Sequence, residues 1–202
     1  MSRARRPVVA TSIAALVGAC AVGGPYLYNE QVSPSYTVPQ YNYAAGRRDF
    51  LTVVRGDPFG MEEAAFQDAV IEVLNRNQPR PQPTRFTADP GEDARPHYRT
   101  VLLFDAPRAM VPNAICRASF AGGVEPVALT TGPRREGDPV RVAAAFCSGG
   151  GAFTSVMGEV ADVESVDDPA FDRLISQVVY ALFPLRDEDR RDDRCVPGPD
   201  GC

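Results

Sequence analysis

Residues Tyr98 to Phe104, Tyr-Arg-Thr-Val-Leu-Leu-Phe, form the most apolar short run outside the N-terminus. A strand sends successive side chains to opposite sides of a sheet. This run is apolar on both, which predicts a strand inside a sheet and not at its edge. The remaining residues must supply the rest of that sheet.

They do so in a recognisable order. Phe50 to Arg55 is a β-rich apolar run and predicts a strand. Asp57-Pro58 has the chemistry of a helix start, although Gly60 moves the expected start to near Met61. Phe66, Ala69, Val70, Val73 and Leu74 recur at helical spacing, and this helix should end by about Asn77. Pro79, Pro81 and Pro83 mark a loop, Thr84 to Ala88 a short edge strand, and Asp89-Pro90-Gly91 a turn. Further strands are expected at Ala114–Ala121, Pro126–Thr130, Val140–Cys147 and Ala152–Val163. The last two are joined by Ser148-Gly149-Gly150-Gly151 as a hairpin. Asp168 caps a closing helix with Pro169 in its first position. Its buried stripe is Phe171, Leu174, Ile175, Val178 and Leu182, and Pro184 stops it. Strands in a run with few helices between them favour antiparallel pairing. The expected fold over residues 49–185 is α+β: one mostly antiparallel sheet with two helices packed on one face.

The first 20 residues have a different character. Arg3, Arg5 and Arg6 precede an apolar run from Val8 to Ala19. About a dozen residues cannot span a bilayer, which needs roughly 20. That length and the basic start suit a secretory signal peptide. The run ends Val17-Gly18-Ala19-Cys20, which resembles the lipobox of bacterial lipoproteins. The resemblance covers the signal segment, residues 1–19 with Cys20. It implies that the Cys20 sulfur receives diacylglycerol, that the chain is cut before Cys20, and that the freed amino group gains a further acyl chain such as palmitate. Two or more chains give stable anchoring where one does not. Ala21, in place of the aspartate that retains such proteins at the inner membrane, leans toward the outer membrane facing the periplasm. In general layout the whole resembles small envelope lipoproteins of GC-rich proteobacteria.

Residues 20–48 read as a tether, with Pro25, Pro34 and Pro39, little periodicity, and Tyr26, Tyr28, Tyr36, Tyr41 and Tyr43. Fully extended it would reach roughly 90 Å. So many tyrosines are unusual for a plain spacer. They could pack on the domain, sit at the bilayer interface or bind a partner. Residues 186–202 read as a charged, solvated tail that includes a Cys195–Cys202 loop.

Charge and cysteines bound the chemistry. Three of the 21 basic residues leave with the signal, so 18 face 26 acidic ones and the mature net charge is −8. That balance speaks against nucleic acid as a partner. The basic residues are all arginine, as a GC-rich genome would give, and the one histidine is His97. With Cys20 carrying lipid, Cys116, Cys147, Cys195 and Cys202 form an even set in a compartment where disulfides persist. Three pairings are open. Cys116–Cys147 with Cys195–Cys202 is preferred, because turn residues lie between the last two. The first bridge would close about 32 residues, for roughly 3–4 kcal/mol. Val142, Ala144 and Phe146 turn Cys147 to the other strand face, so Cys116 must lie on that face too.

No motif carries catalysis. The glycine run 148–151 lacks the helix and lysine of a phosphate loop. The acids Asp187, Glu188, Asp189, Asp192 and Asp193 lack calcium-loop spacing and alternate with arginines. His97 beside a cysteine would make a nucleophile pair only if the thiols were free. Glu62-Glu63 and Asp167-Asp168 sit at helix starts, where acids suit the dipole. The expectation is a non-enzymatic, membrane-anchored envelope lipoprotein without cofactor or metal, held to lipid through Cys20 and serving a protein partner in the periplasm. The alternatives are a binder of a small apolar or lipid ligand and a periplasmic hydrolase.

Overall fold

The computed structural model describes residues 24–79, 83–118 and 137–185. Its elements are β1 (Tyr26–Val32), α1 (Val38–Ala45), β2 (Asp49–Arg55), α2 (Glu63–Arg76), β3 (Arg85–Thr87), β4 (Tyr98–Phe104), α3 (Pro112–Ala118), β5 (Val140–Ser148), β6 (Gly151–Val160) and α4 (Pro169–Leu182). The strands form one sheet in the order β1-β6-β5-β4-β2-β3, and the fold is α+β. β4 lies inside the sheet and β3 at an edge, as the sequence predicts. The sheet is mixed. β1–β6, β6–β5 and β5–β4 are antiparallel, whereas β2 is parallel to both β4 and β3. The α2 crossover carries the chain from β2 back to a parallel β3, which a run of antiparallel neighbours could not do.

Local chemistry fixes most of these elements. Ser148 pairs with Gly151 across a two-residue turn, and Gly149 takes φ +54°, as primed hairpin turns require. The Asp168 carboxylate accepts from the Ala170 amide at 2.7 Å and Pro169 opens α4. Asp57 does not cap α2. Its carboxylate accepts from the Phe59 amide at 2.9 Å in a local turn, Gly60 adopts φ +71°, and Glu62 caps the helix by accepting from Ala65 at 3.1 Å. The proline-favoured start is thereby displaced by one turn of chain.

Two expectations are corrected. Ala114–Ala121 is not a strand; Pro112–Ala118 is helical. Proline preset for a first helical turn, followed by the strong helix formers Ala114 and Arg117, outweighs the apolar Ile115-Cys116 pair. Residues 24–48 are not a free tether. β1 pairs with β6 from Tyr26↔Glu159 to Val32↔Thr154, and α1 buries Tyr41, Ala44 and Ala45. Of the remaining expectations, the signal segment with Cys20, the strand Pro126–Thr130, and the tail with Cys195 and Cys202 lie outside the described residues.

The sheet is covered on both faces. On the first, α2 and α4 pack together with α1 over Phe50, Leu102, Phe104, Val142, Ala144, Phe146 and Val156. Phe146 is the hub, with the rings of Tyr36, Tyr41, Phe50, Tyr98, Phe153 and Phe183 centred 5.2 to 6.5 Å from it. On the second face, α3 with Ile115 and Cys116 covers Val101, Leu103, Ala143, Ala145, Cys147 and Met157. That layer explains why β4 is apolar on both sides.

Candidate interaction surfaces

The second face carries the chemistry that the sequence pointed to. Cys147 faces away from Phe146, and α3 brings Cys116 to the same side. The two form a disulfide with Cα atoms 5.6 Å apart. Beside it on β4, opposite Cys147, is Arg99, a residue only 4% exposed. Its Nη2 donates to the carbonyl oxygens of Cys116 at 2.7 Å and Gly149 at 2.9 Å. Burial pushes its pKa below the usual arginine value. The arginine therefore binds the end of α3 to the β5–β6 turn. An arginine inside a run apolar on both faces was the sequence signal for this clamp, and periodicity alone did not read it.

His97 is exposed, and its carbonyl accepts from the Gly149 amide at 2.8 Å. It sits at the base of β4, on the surface. Glu62 and Glu63 are helix-start acids, Glu63 paired with Arg55 at 3.1 Å. Asp167 and Asp168 open α4. Among the described residues no group of three or more His, Cys, Asp or Glu is placed to hold a metal ion, and no helix is long and apolar enough to cross a membrane.

Two surface regions stand out. The first is an open groove of about 450 Å³ where the end of β1 meets the start of β6 and of α3. Val32 and Val111, 46% and 58% exposed, line it together with Phe153, and Asn113 and Arg117 supply its polar groups. Asn113 Oδ1 accepts from the Ala152 amide at 3.0 Å, which fixes one wall. The groove joins a segment whose sequence reads as a tether to one whose sequence reads as a strand, so the sequence alone does not reveal it.

The second region lies at the opposite end of β1. Tyr26 is 63% exposed, and its ring stacks on that of Tyr28 with centroids 5.8 Å apart. Cross-strand partners share a face, so Tyr26, Glu159 and Arg141 form a row across β1, β6 and β5. Arg108 reaches Glu159 at 3.2 Å from the loop after β4. Tyr28 extends inward to the second core, and burial, then the Glu159 charge, raises its hydroxyl pKa.

No protein-family model, curated protein or solved structure matches the chain.

Proposed function

We propose that the chain is a membrane-anchored bacterial envelope lipoprotein of non-enzymatic type, which binds another protein in the periplasm in an accessory role. The observation that carries this reading is the Cys116–Cys147 disulfide. Structural disulfides persist in exported proteins and are rare in the cytosol. With Cys195 and Cys202 available to each other, Cys20 is the odd cysteine, and it stands where the lipobox places its acylated residue. The groove of Val32, Val111, Asn113 and Arg117 supplies a mixed apolar and polar surface for the partner.

A binder of an apolar ligand would need open space between sheet and helices. In the described residues that layer holds Phe50, Phe66, Phe86, Phe104, Phe146, Phe171 and Phe183, each no more than 1% exposed, which favours the protein-binding reading.

The test is the intact mass of the protein extracted from membranes under non-reducing conditions. The expected mass is residues 20–202 plus acyl chains, less four hydrogens for two disulfides. An unlipidated mass overturns the anchor. Crosslinking in cells through a photoreactive residue at position 32 or 111 then tests the groove. A specific adduct is expected, and its absence under varied growth conditions counts against a partner there.

A further inference from the structure

We infer that the Tyr26 end of β1 lies against the headgroup layer of the anchoring membrane, so that the domain sits on the bilayer with its groove turned away. The inference rests on the lipid-anchor reading above and goes beyond it.

Cys20 and Tyr26 are six residues apart, and six residues extended span at most about 20 Å. The sheet begins at Tyr26, so the domain has no long tether and its β1 start stays within that distance of the acyl chains. Confinement on that scale gives a surface contact a high effective concentration, and even a weak affinity is then occupied.

The surface next to the anchor is a stacked tyrosine pair bordered by Arg108 and Arg141. Tyrosine presents an apolar ring and a polar tip and concentrates at membrane–water interfaces. Arginine donates in pairs to phosphate. Glu159 lies between these groups and is paired with Arg108 at 3.2 Å, which leaves Arg141 as the second cation on this face. Phospholipid headgroups are thus the occupant that this face and this position fit.

Orientation follows. β1 is seven residues, about 23 Å, and the groove lines its far end through Gln31 and Val32. The last residue of α4, Leu182, accepts from Thr154 Oγ1 at 2.7 Å, and Thr154 is the pairing partner of Val32. Tyr180, 55% exposed near that end of α4, therefore marks the side away from the bilayer.

The sequence contains no tryptophan, so a single introduced one reports its own surroundings. Lipidated Tyr26→Trp and Tyr180→Trp are reconstituted into vesicles of phosphatidylethanolamine and phosphatidylglycerol, with or without phosphatidylcholine brominated near the acyl carbonyl end. Flotation and intact mass are read on the same samples. The expected result is that both float, that Tyr26→Trp shifts to the blue and loses most of its emission to bromine, and that Tyr180→Trp keeps its own. If both float and Tyr26→Trp is quenched no more than Tyr180→Trp, the apposition is overturned while the anchor stands. If neither floats and the mass lacks acyl chains, the anchor reading fails and the apposition fails with it.

Discussion

Arg99 donates to the carbonyl oxygen of Cys116 at 2.7 Å, so the residue that closes the disulfide is also held by a buried cation on the neighbouring strand. Two constraints of different kind thus fix the end of α3: one covalent and one charge-assisted. A seven-residue helix is too short to be stable by itself, and the second face of the sheet would lose its cover without them.

Removing the covalent constraint should cost the usual amount for such a loop. Cys116→Ala with Cys147→Ala is expected to lower unfolding free energy by roughly 2–4 kcal/mol. Urea titration of the double variant, with reduced wild type as comparison, measures it. A loss much below that range would mean that the packing of Ile115 and the clamp of Arg99 hold α3 without the bridge.

Removing the cation leaves carbonyls with too few donors. Arg99→Met should cost roughly 1–3 kcal/mol, and the cost should not add to that of the cysteine variant, since both act on Cys116. A double-mutant cycle on denaturation midpoints reads the coupling. Strict additivity would show that the two contacts are independent.

Gly56 and Gly158 should respond oppositely to their apparent importance. A Cβ on Gly158, inside β6, would stand 2.8 Å from Leu174 Cδ1 and 2.9 Å from Leu27 Cδ2, both ends of side chains that can rotate. Gly158→Ala should cost about 1 kcal/mol, at the low end of overpacking. Gly56, after β2, has φ +81°, and a Cβ there would meet the Phe104 carbonyl oxygen at 2.7 Å. Backbone cannot rotate away, and alanine is strained at that φ. Gly56→Ala is expected to be the worse variant by thermal melting; the reverse order would refute the steric account.

Much of the fold was legible in the sequence where the determining interactions are local. α4 has its cap, first proline and stripe within one stretch, and the β5–β6 hairpin has its glycines in the turn. Three elements were not legible, for one reason. β1 is exposed along most of its length and interrupted by a bulge at Asn29, so no alternation marks it. α1 has eight residues and is held by Tyr41 against Phe146 and Phe183, contacts far away in sequence. α3 is one apolar pair with prolines and alanines around it. The groove is made from β1 and α3, so it vanished from the reading with them. Counting leaves three cysteine pairings open, and the turn residues between Cys195 and Cys202 are what favour Cys116–Cys147, whose facing depends on α3.

Acid should break the Asp49–Arg85 contact only at low pH. The Asp49 carboxylate receives Arg85 Nε and Nη2 at 2.6 Å each and the Gly91 amide at 2.9 Å, which hold its pKa at about 2 against an ordinary 3.8. The folded value is below the unfolded one, so the contribution is fully present above about pH 4 and is lost as pH falls toward 2. Urea midpoints of wild type and Asp49→Asn should differ at neutral pH and converge in that window. A constant difference down to pH 2 would assign the effect to something other than titration of Asp49.

The core extends N-terminal of Asp49, to Tyr36 and Tyr41. A chain beginning at Asp49 keeps the predicted strands and both long helices, but it loses Tyr36 and Tyr41 from the rings around Phe146 and the whole β1 ladder on β6. It also loses the Tyr36 hydroxyl to the Pro184 carbonyl at 3.0 Å and the Tyr41–Thr84 contact at 2.9 Å. Each buried aromatic is worth roughly 1.5–3 kcal/mol, and small domains have only about 5–15 kcal/mol in hand. Residues 24–202 should melt cooperatively by circular dichroism, whereas residues 49–202 should lack a cooperative transition and aggregate through the exposed β6 edge. If the shorter chain melts at the temperature of the longer one, β1 and α1 are dispensable to the core. The short anchor distance derived from β1 would then lose its footing too, because a segment that detaches freely could serve as a tether after all.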